Sequence, residues 1–152
     1  MAKNGFSMSK RVAVEQITAD KTLTVNDCGK TFIVDAVTNA AAVDITMPSR
    51  ASAEDGWNAT FIMESGSGGG AAAQNVVWSG SVGDSKTAPF QVLSSNLLGN
   101  GVTGISDTAA TVTVPGSTLK NGDVVKITMI DGNLTGKLWY VDAITSGTLT
   151  TT

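Results

Sequence analysis

The feature that most limits how this chain can fold is a two-residue alternation of apolar side chains. Leu23 and Val25 flank Thr24, Phe32 and Val34 stand two apart, and Val43, Ile45 and Met47 follow at the same spacing. Val112 and Val114 bracket Thr113, and Val125, Ile127 and Met129 bracket Lys126 and Thr128. A period of two places every second side chain on one face of an extended strand. Val, Ile and Thr suit that half-buried surface, and helical periodicity is nearly absent. Turn residues punctuate the runs at Asn26-Asp27-Cys28-Gly29, Pro48-Ser49, Pro115-Gly116, Lys120-Asn121-Gly122-Asp123 and Asp131-Gly132-Asn133. Their Gly, Asn and Asp supply the backbone angles that tight hairpins need.

The pattern predicts strands over 11–18, 21–26, 31–37, 42–47, 58–64, 75–79, 90–94, 110–114, 123–130 and 137–144, with one helical turn at Ser49–Asp55. The expected fold is all-β, a single β-sandwich or jelly-roll-like barrel of about 8–10 short strands. A chain of 152 residues makes one domain with a core of its own. That domain is expected over 12–147. Residues 1–11 hold Lys3, Phe6, Met8, Lys10 and Arg11 without periodicity and read as an N-terminal arm; 148–152 read as a C-terminal tail. Residues 65–73 are of low complexity and read as a loop.

Composition limits the chemistry. The chain has no histidine and one cysteine. No Ser–His–Asp or Cys–His catalysis is available, no His-based zinc site, and no internal disulfide or CxxC motif. Charged residues are 15% of the chain, against about 25% in an average protein; glycine, serine and threonine make up about a third. A net charge of −3 offers no broad basic surface for nucleic acid. No apolar run approaches the ~18 residues of a membrane helix. The start, Met1-Ala2-Lys3-Asn4-Gly5-Phe6, lacks the apolar core of a secretory signal. The expected site of synthesis is therefore a cytoplasm.

Four candidate sites have simpler structural readings. Cys28-Gly29-Lys30-Thr31 contains the GKT of a phosphate loop, but Thr24 stands where the motif needs glycine and no helix is predicted to follow. It reads as a turn re-entering a strand. Gly66-Ser67-Gly68-Gly69-Gly70-Ala71 lacks the βαβ setting of a dinucleotide fingerprint. Asp27, Asp35, Asp44, Asp84, Asp107, Asp123, Asp131 and Asp142 stand mostly at turns and strand ends, where Asp accepts backbone hydrogen bonds. No two stand out as an acid/base pair for glycoside hydrolysis, and no DxDxDG spacing suggests calcium. Trp57, Trp78, Trp139 and Tyr140 suit packing, a subunit interface or a sugar-stacking platform. Trp139 and Tyr140 are adjacent in a strand and point to opposite faces. No catalytic, metal or cofactor residue is assigned.

The order of these features resembles a known class. Lys21-Thr22-Leu23-Thr24-Val25-Asn26-Asp27-Cys28-Gly29-Lys30-Thr31-Phe32 is followed by Val43-Asp44-Ile45-Thr46-Met47-Pro48, Gly56-Trp57 and Thr60-Phe61-Ile62-Met63. The chain then closes with Gly122-Asp123-Val124-Val125-Lys126-Ile127 and Lys137-Leu138-Trp139-Tyr140-Val141. Over 21–144 this resembles β-rich virion domains of tailed bacteriophages, found in capsid decoration (cement) proteins and in head or tail fibres. It departs from them in Cys28 and Met47, where Ser and Leu are expected, and in a longer 65–110 region. The resemblance implies a structural protein without enzymatic activity or cofactor. Such a protein sits on the outer head surface as a homotrimer bound to the major capsid protein, after assembly in the host cytoplasm. Lys3, Phe6, Met8, Lys10 and Arg11 are then the expected capsid contacts, and Trp57, Trp78 and Phe90 the expected subunit interface. The alternative within the class is a fibre or tail module that binds a receptor or a host-surface glycan.

Overall fold

Alternating apolar residues do form strands, and the strands form two sheets. A computed structural model of the chain describes residues 13–37, 41–64, 73–82, 88–97, 101–102, 106–132, 136–147 and 149–152. The expected arm, the glycine-rich loop at 65–72 and Thr148 lie outside the described residues. The first elements are β1 (Val14–Ile17), β2 (Lys21–Thr22), a 3-10 turn (Val25–Asp27), β3 (Thr31–Asp35), β4 (Val43–Thr46), β5 (Asn58–Glu64) and β6 (Val76–Ser79). Then come β7 (Phe90–Leu97), β8 (Gly101–Val102), β9 (Ser106–Ala109), β10 (Thr111–Val114), β11 (Val124–Gly132), β12 (Gly136–Thr145) and β13 (Thr150–Thr151).

One sheet runs in the order β1-β3-β5-β11-β12-β7-β8, with β9 also on β7; the other runs β13-β10-β6-β4-β2. From β1 to β6 the chain visits the two sheets in turn. Each return lays a strand beside the previous one in the same direction, so β1, β3 and β5 are parallel neighbours, as are β2, β4 and β6. The architecture is the expected all-β sandwich, but its first half is a two-layer coil of parallel strands rather than a series of hairpins. A parallel pair needs a long crossover, and here the other sheet supplies it.

The turn residues therefore do different work from that expected. Asp131 and Gly132 close a hairpin between β11 and β12, with Gly132 paired to Gly136. The other turns carry the chain from one sheet to the other. The segment 23–27 leaves the expected strand. Leu23 keeps one bond to sheet two, donating its N–H to the Thr46 carbonyl at 2.9 Å. Val25–Asp27 then coils, and Val25 is exposed. The Ser49–Asp55 segment makes a single turn, in which the Ala53 N–H donates to the Ser49 carbonyl at 2.9 Å. Leu149 is buried, and Thr150–Thr151 pairs with β10. The described part of the expected tail thus extends the second sheet.

The core lies between the sheets. Phe32, Val34, Ala59, Phe61, Met63, Val125, Ile127, Met129, Trp139 and Val141 come from one side, and Val43, Ile45, Val76, Trp78, Val112 and Val114 from the other; all are buried. Phe32 stacks on Phe61 at 5.4 Å, and Phe61 meets Trp78 edge-on at 5.4 Å. Such aromatic pairs add about 0.5–1.5 kcal/mol beyond the area they bury. Trp139 is buried and Tyr140 half-buried on the opposite face, as alternation requires.

Candidate functional site

One end of the sandwich gathers polar chemistry around a cleft of about 380 Å³, lined by Val25, Cys28, Ser52, Glu54, Asp55, Gly56 and Trp57. Two pieces of chain line it, the 3-10 turn with Cys28 after it and the connection from β4 to β5, and the β11–β12 hairpin braces that connection. Gly56 holds φ at 85°, a conformation that glycine reaches at little cost. Its N–H donates to the Met129 carbonyl at 2.9 Å, and the Met129 N–H donates to the Trp57 carbonyl at 2.7 Å. The Asp131 N–H donates to Asp55 Oδ1 at 3.0 Å. Trp57 packs edge-on against Trp139 at 5.1 Å and donates its indole N–H to the Val25 carbonyl at 3.1 Å. The cleft walls are thus fixed by two backbone–backbone bonds and by side-chain bonds to backbone from Asp55 and Trp57.

Beneath this connection, Arg50 is buried and donates from Nη1 to the Lys137 carbonyl at 2.8 Å, while Lys137 Nζ donates to the Ala53 carbonyl at 2.8 Å. These two cations tie the connection to β12.

The 3-10 turn is fixed by Asp27. Its Oδ2 accepts from the Thr24 N–H at 2.7 Å and the Thr24 hydroxyl at 3.0 Å, and its Oδ1 accepts from Lys30 Nζ at 2.6 Å. Glu15 on β1 bridges Lys21 at 2.5 Å and Lys30 at 3.2 Å. The Lys21 and Lys30 bonds hold the Glu15 carboxyl below its ordinary range. Burial pushes Asp27 up, but the bonds from Lys30 and Thr24 outweigh it and the net shift is downward. Asp27 and then Glu15 raise the Lys30 ammonium above its ordinary value. Lys30, the lysine of the GKT sequence, is thus held in ion pairs. Gly29 turns at φ 77° into strand β3 rather than into a helix, so no ring of helix-end amides faces a phosphate.

Cys28 is exposed on the cleft rim. A thiol nucleophile needs a base, and the chain has no histidine to act as one. Among the described residues, no group of three or more His, Cys, Asp or Glu is placed to hold a metal ion. The cleft offers the Glu54 and Asp55 carboxylates, the Ser52 hydroxyl and the Cys28 thiol, a set suited to water and small polar groups.

Of the residues singled out from sequence, Lys3, Phe6, Met8, Lys10 and Arg11 lie outside the described residues. Trp57, Trp78 and Phe90 are 3%, 0% and 0% exposed. Their aromatic surface packs the interior of this chain and is not presented to a neighbour, because each falls on the inward phase of its strand or connection. The acids at turns do cap backbone. Asp123 Oδ1 accepts from the Ser146 N–H at 2.9 Å and the Ser146 hydroxyl at 2.8 Å, and its Oδ2 accepts from the Lys120 N–H at 3.0 Å. The cleft joins residues 25–28 to residues 52–57, which no local motif announces; the Glu15–Lys21–Lys30–Asp27 cluster lies within residues 15–30, and its local signal is the capping box of Thr24 and Asp27. Comparison with protein-family models, curated proteins and solved structures returns no match to the chain.

Proposed function

We propose that this chain is a decoration (cement) protein of a tailed-bacteriophage head, bound to the outer face of the major capsid protein and stabilising the shell. The observation that carries the reading is how the body uses its polar groups. Asp27, Asp123, Arg50 and Lys137 each fix a turn or connection through bonds to backbone. This makes a durable two-sheet body rich in small side chains, which lose little rotamer entropy when covered by a neighbour. The sequence likeness over 21–144 points the same way. In this reading the copies associate as trimers and reach the shell through Lys3, Phe6, Met8, Lys10 and Arg11. The cations meet acidic shell residues, Phe6 and Met8 fill small pockets, and attachment at several points makes weak contacts strong together. The burial of Trp57, Trp78 and Trp139 leaves the alternative of a glycan-binding fibre module without a tryptophan platform.

The test is a chain lacking residues 1–11, mixed with expanded heads of the same phage and sedimented. It is expected to fold with an unchanged thermal midpoint and to stay in the supernatant, while the full chain pellets with the heads. Equal decoration by both chains refutes the arm's role. Failure of the full chain to bind heads refutes the function.

A further inference from the structure

The outward face of the larger sheet carries a row of aliphatic side chains that the core does not use. Ile33 on β3 pairs in register with Ile62 on β5, Ile62 with Val124 on β11, and Val124 with Ile144 on β12. Each lies between inward residues, such as Phe32 and Val34 or Phe61 and Met63. The four therefore form one continuous stripe across four strands, facing away from the core. Ile144 is 52% exposed, and Ile33, Ile62 and Val124 are half-buried. Charges flank the stripe on both sides: Asp35 and Glu64, paired in register, form an acidic flank, and Lys126, paired in register with Asp142, supplies the cation of the other. Glu64, two residues beyond Ile62, stands on one side, and Lys126, two residues beyond Val124 on the antiparallel neighbour, stands on the other. Both are exposed, and neither makes an ion pair among the described residues.

The geometry points to this face as a contact between two copies of the chain, related by a two-fold axis running along the stripe. Rotation about that axis lays each aliphatic residue over its own counterpart and exchanges the two flanks. The partner's Glu64 then comes opposite Thr60, one strand (about 4.8 Å) from Lys126, within reach of its ammonium, and symmetry makes the pair twice. A two-fold axis along the strands instead sets the two Glu64 carboxylates one strand apart with no cation between them. The charge pattern therefore selects the first arrangement. Four strands by three residue rows cover about 400 Å² on each copy. The two copies together cover about 800 Å², below the ~1,200–2,000 Å² total of stable complexes, so the contact is weak in free solution and takes effect where copies are crowded side by side.

Sedimentation equilibrium of the full chain tests this without any capsid, so its outcome is separate from that of the decoration reading. From about 10 µM to about 1 mM, the weight-average mass is expected to double from its low-concentration value. I144K should abolish the doubling. E64K and K126E should each weaken it about five- to tenfold through the two symmetric pairs, and the E64K/K126E double variant should restore it to within about twofold. Thermal midpoints check that each variant folds. A constant mass overturns the proposal, including the case in which only a chain lacking residues 1–12 associates because that segment covers the face. Association unchanged by I144K, or by either charge reversal, overturns it as well.

Discussion

Gly116 gives the sharpest test of how the two sheets are joined. It lies in the turn after β10, where its N–H donates to Asn75 Oδ1 at 2.9 Å. A Cβ added there meets the Ala73 carbonyl oxygen at 1.9 Å and the carbonyl carbons of Ala73 and Gln74 at 2.6 Å. All three atoms are backbone, so no side chain can rotate away. The opposing segment is itself held, since the Gln74 N–H donates to the Ala36 carbonyl at 2.8 Å and the Val43 N–H to the Asn75 carbonyl at 2.9 Å. Ordinary contact begins near 3.4 Å, so Gly116→Ala must push the two segments apart by roughly 1.5 Å. Overpacking of this kind costs about 1–3 kcal/mol, and stretching the Asn75 bond adds about 1 kcal/mol. The expected loss is about 2–4 kcal/mol, which for a domain of this size lowers the thermal midpoint by about 5–15 °C. Gly29→Ala is the control. Nothing lies within 4 Å of its added Cβ, but φ is +77°, so the cost is conformational and about 1–2 kcal/mol. Thermal unfolding followed by circular dichroism, with a urea titration alongside, reads both. A Gly116→Ala chain as stable as the parent, or less affected than Gly29→Ala, refutes the packing of the 73–75 segment against the turn.

Two further outcomes follow from the polar anchors. Asp123→Ala leaves the Ser146 and Lys120 N–H groups without their acceptor and should cost about 2–4 kcal/mol in urea denaturation; a loss under about 0.5 kcal/mol would show that the carboxylate does not hold the 120–123 turn to Ser146. The pH dependence should be flat across neutrality and fall at both extremes. Glu15 and Asp27 titrate below their ordinary values of 4.5 and 3.8, so the native state holds fewer protons than the unfolded chain. Their contribution is whole above those values and is lost as pH falls through the lowered ones. Lys30 titrates above 10.5, so its contribution is whole below that and disappears as pH rises through the raised value. These pairs are partly solvated, so the acid loss is about 1 kcal/mol. Glu15→Gln should reduce the acid slope of the thermal midpoint, and a step near pH 6.5 would contradict the account, because the chain has no histidine.

How far the fold is legible in the sequence depends on which interaction fixes each feature. Strand positions are set by burial of every second residue. That signal is local, so β3, β4, β5, β6, β10, β11 and β12 fall where the alternation of Phe32 and Val34, Val43 and Ile45, or Val125 and Ile127 places them. Pairing direction depends on which sheet the chain crosses to, and turn residues do not encode that. Asn26–Gly29 and Asp131–Gly132 have the same turn chemistry, yet the first crosses between sheets and the second closes a hairpin. The 3-10 turn at Val25–Asp27 replaces the end of an expected strand because Asp27 captures the Thr24 N–H and hydroxyl, a bond that Val25 in strand phase does not forecast. The aromatic residues read as an interface are core because their phase in the strand, not their size, decides which way they point. The stripe had a signal of its own: Ile33, Ile62, Val124 and Ile144 are β-branched residues at the outward phase of strands whose inward phase is already apolar. Register across four strands was needed to align them.

The central claim is that the chain belongs to the shell of a phage head, and copy number tests it most directly. Quantitative mass measurement of purified particles is expected to find the chain in large number, in fixed proportion to the major capsid protein, as a lattice of trimeric sites requires. Its absence from the particles, or a presence of only a few copies each, would contradict the claim.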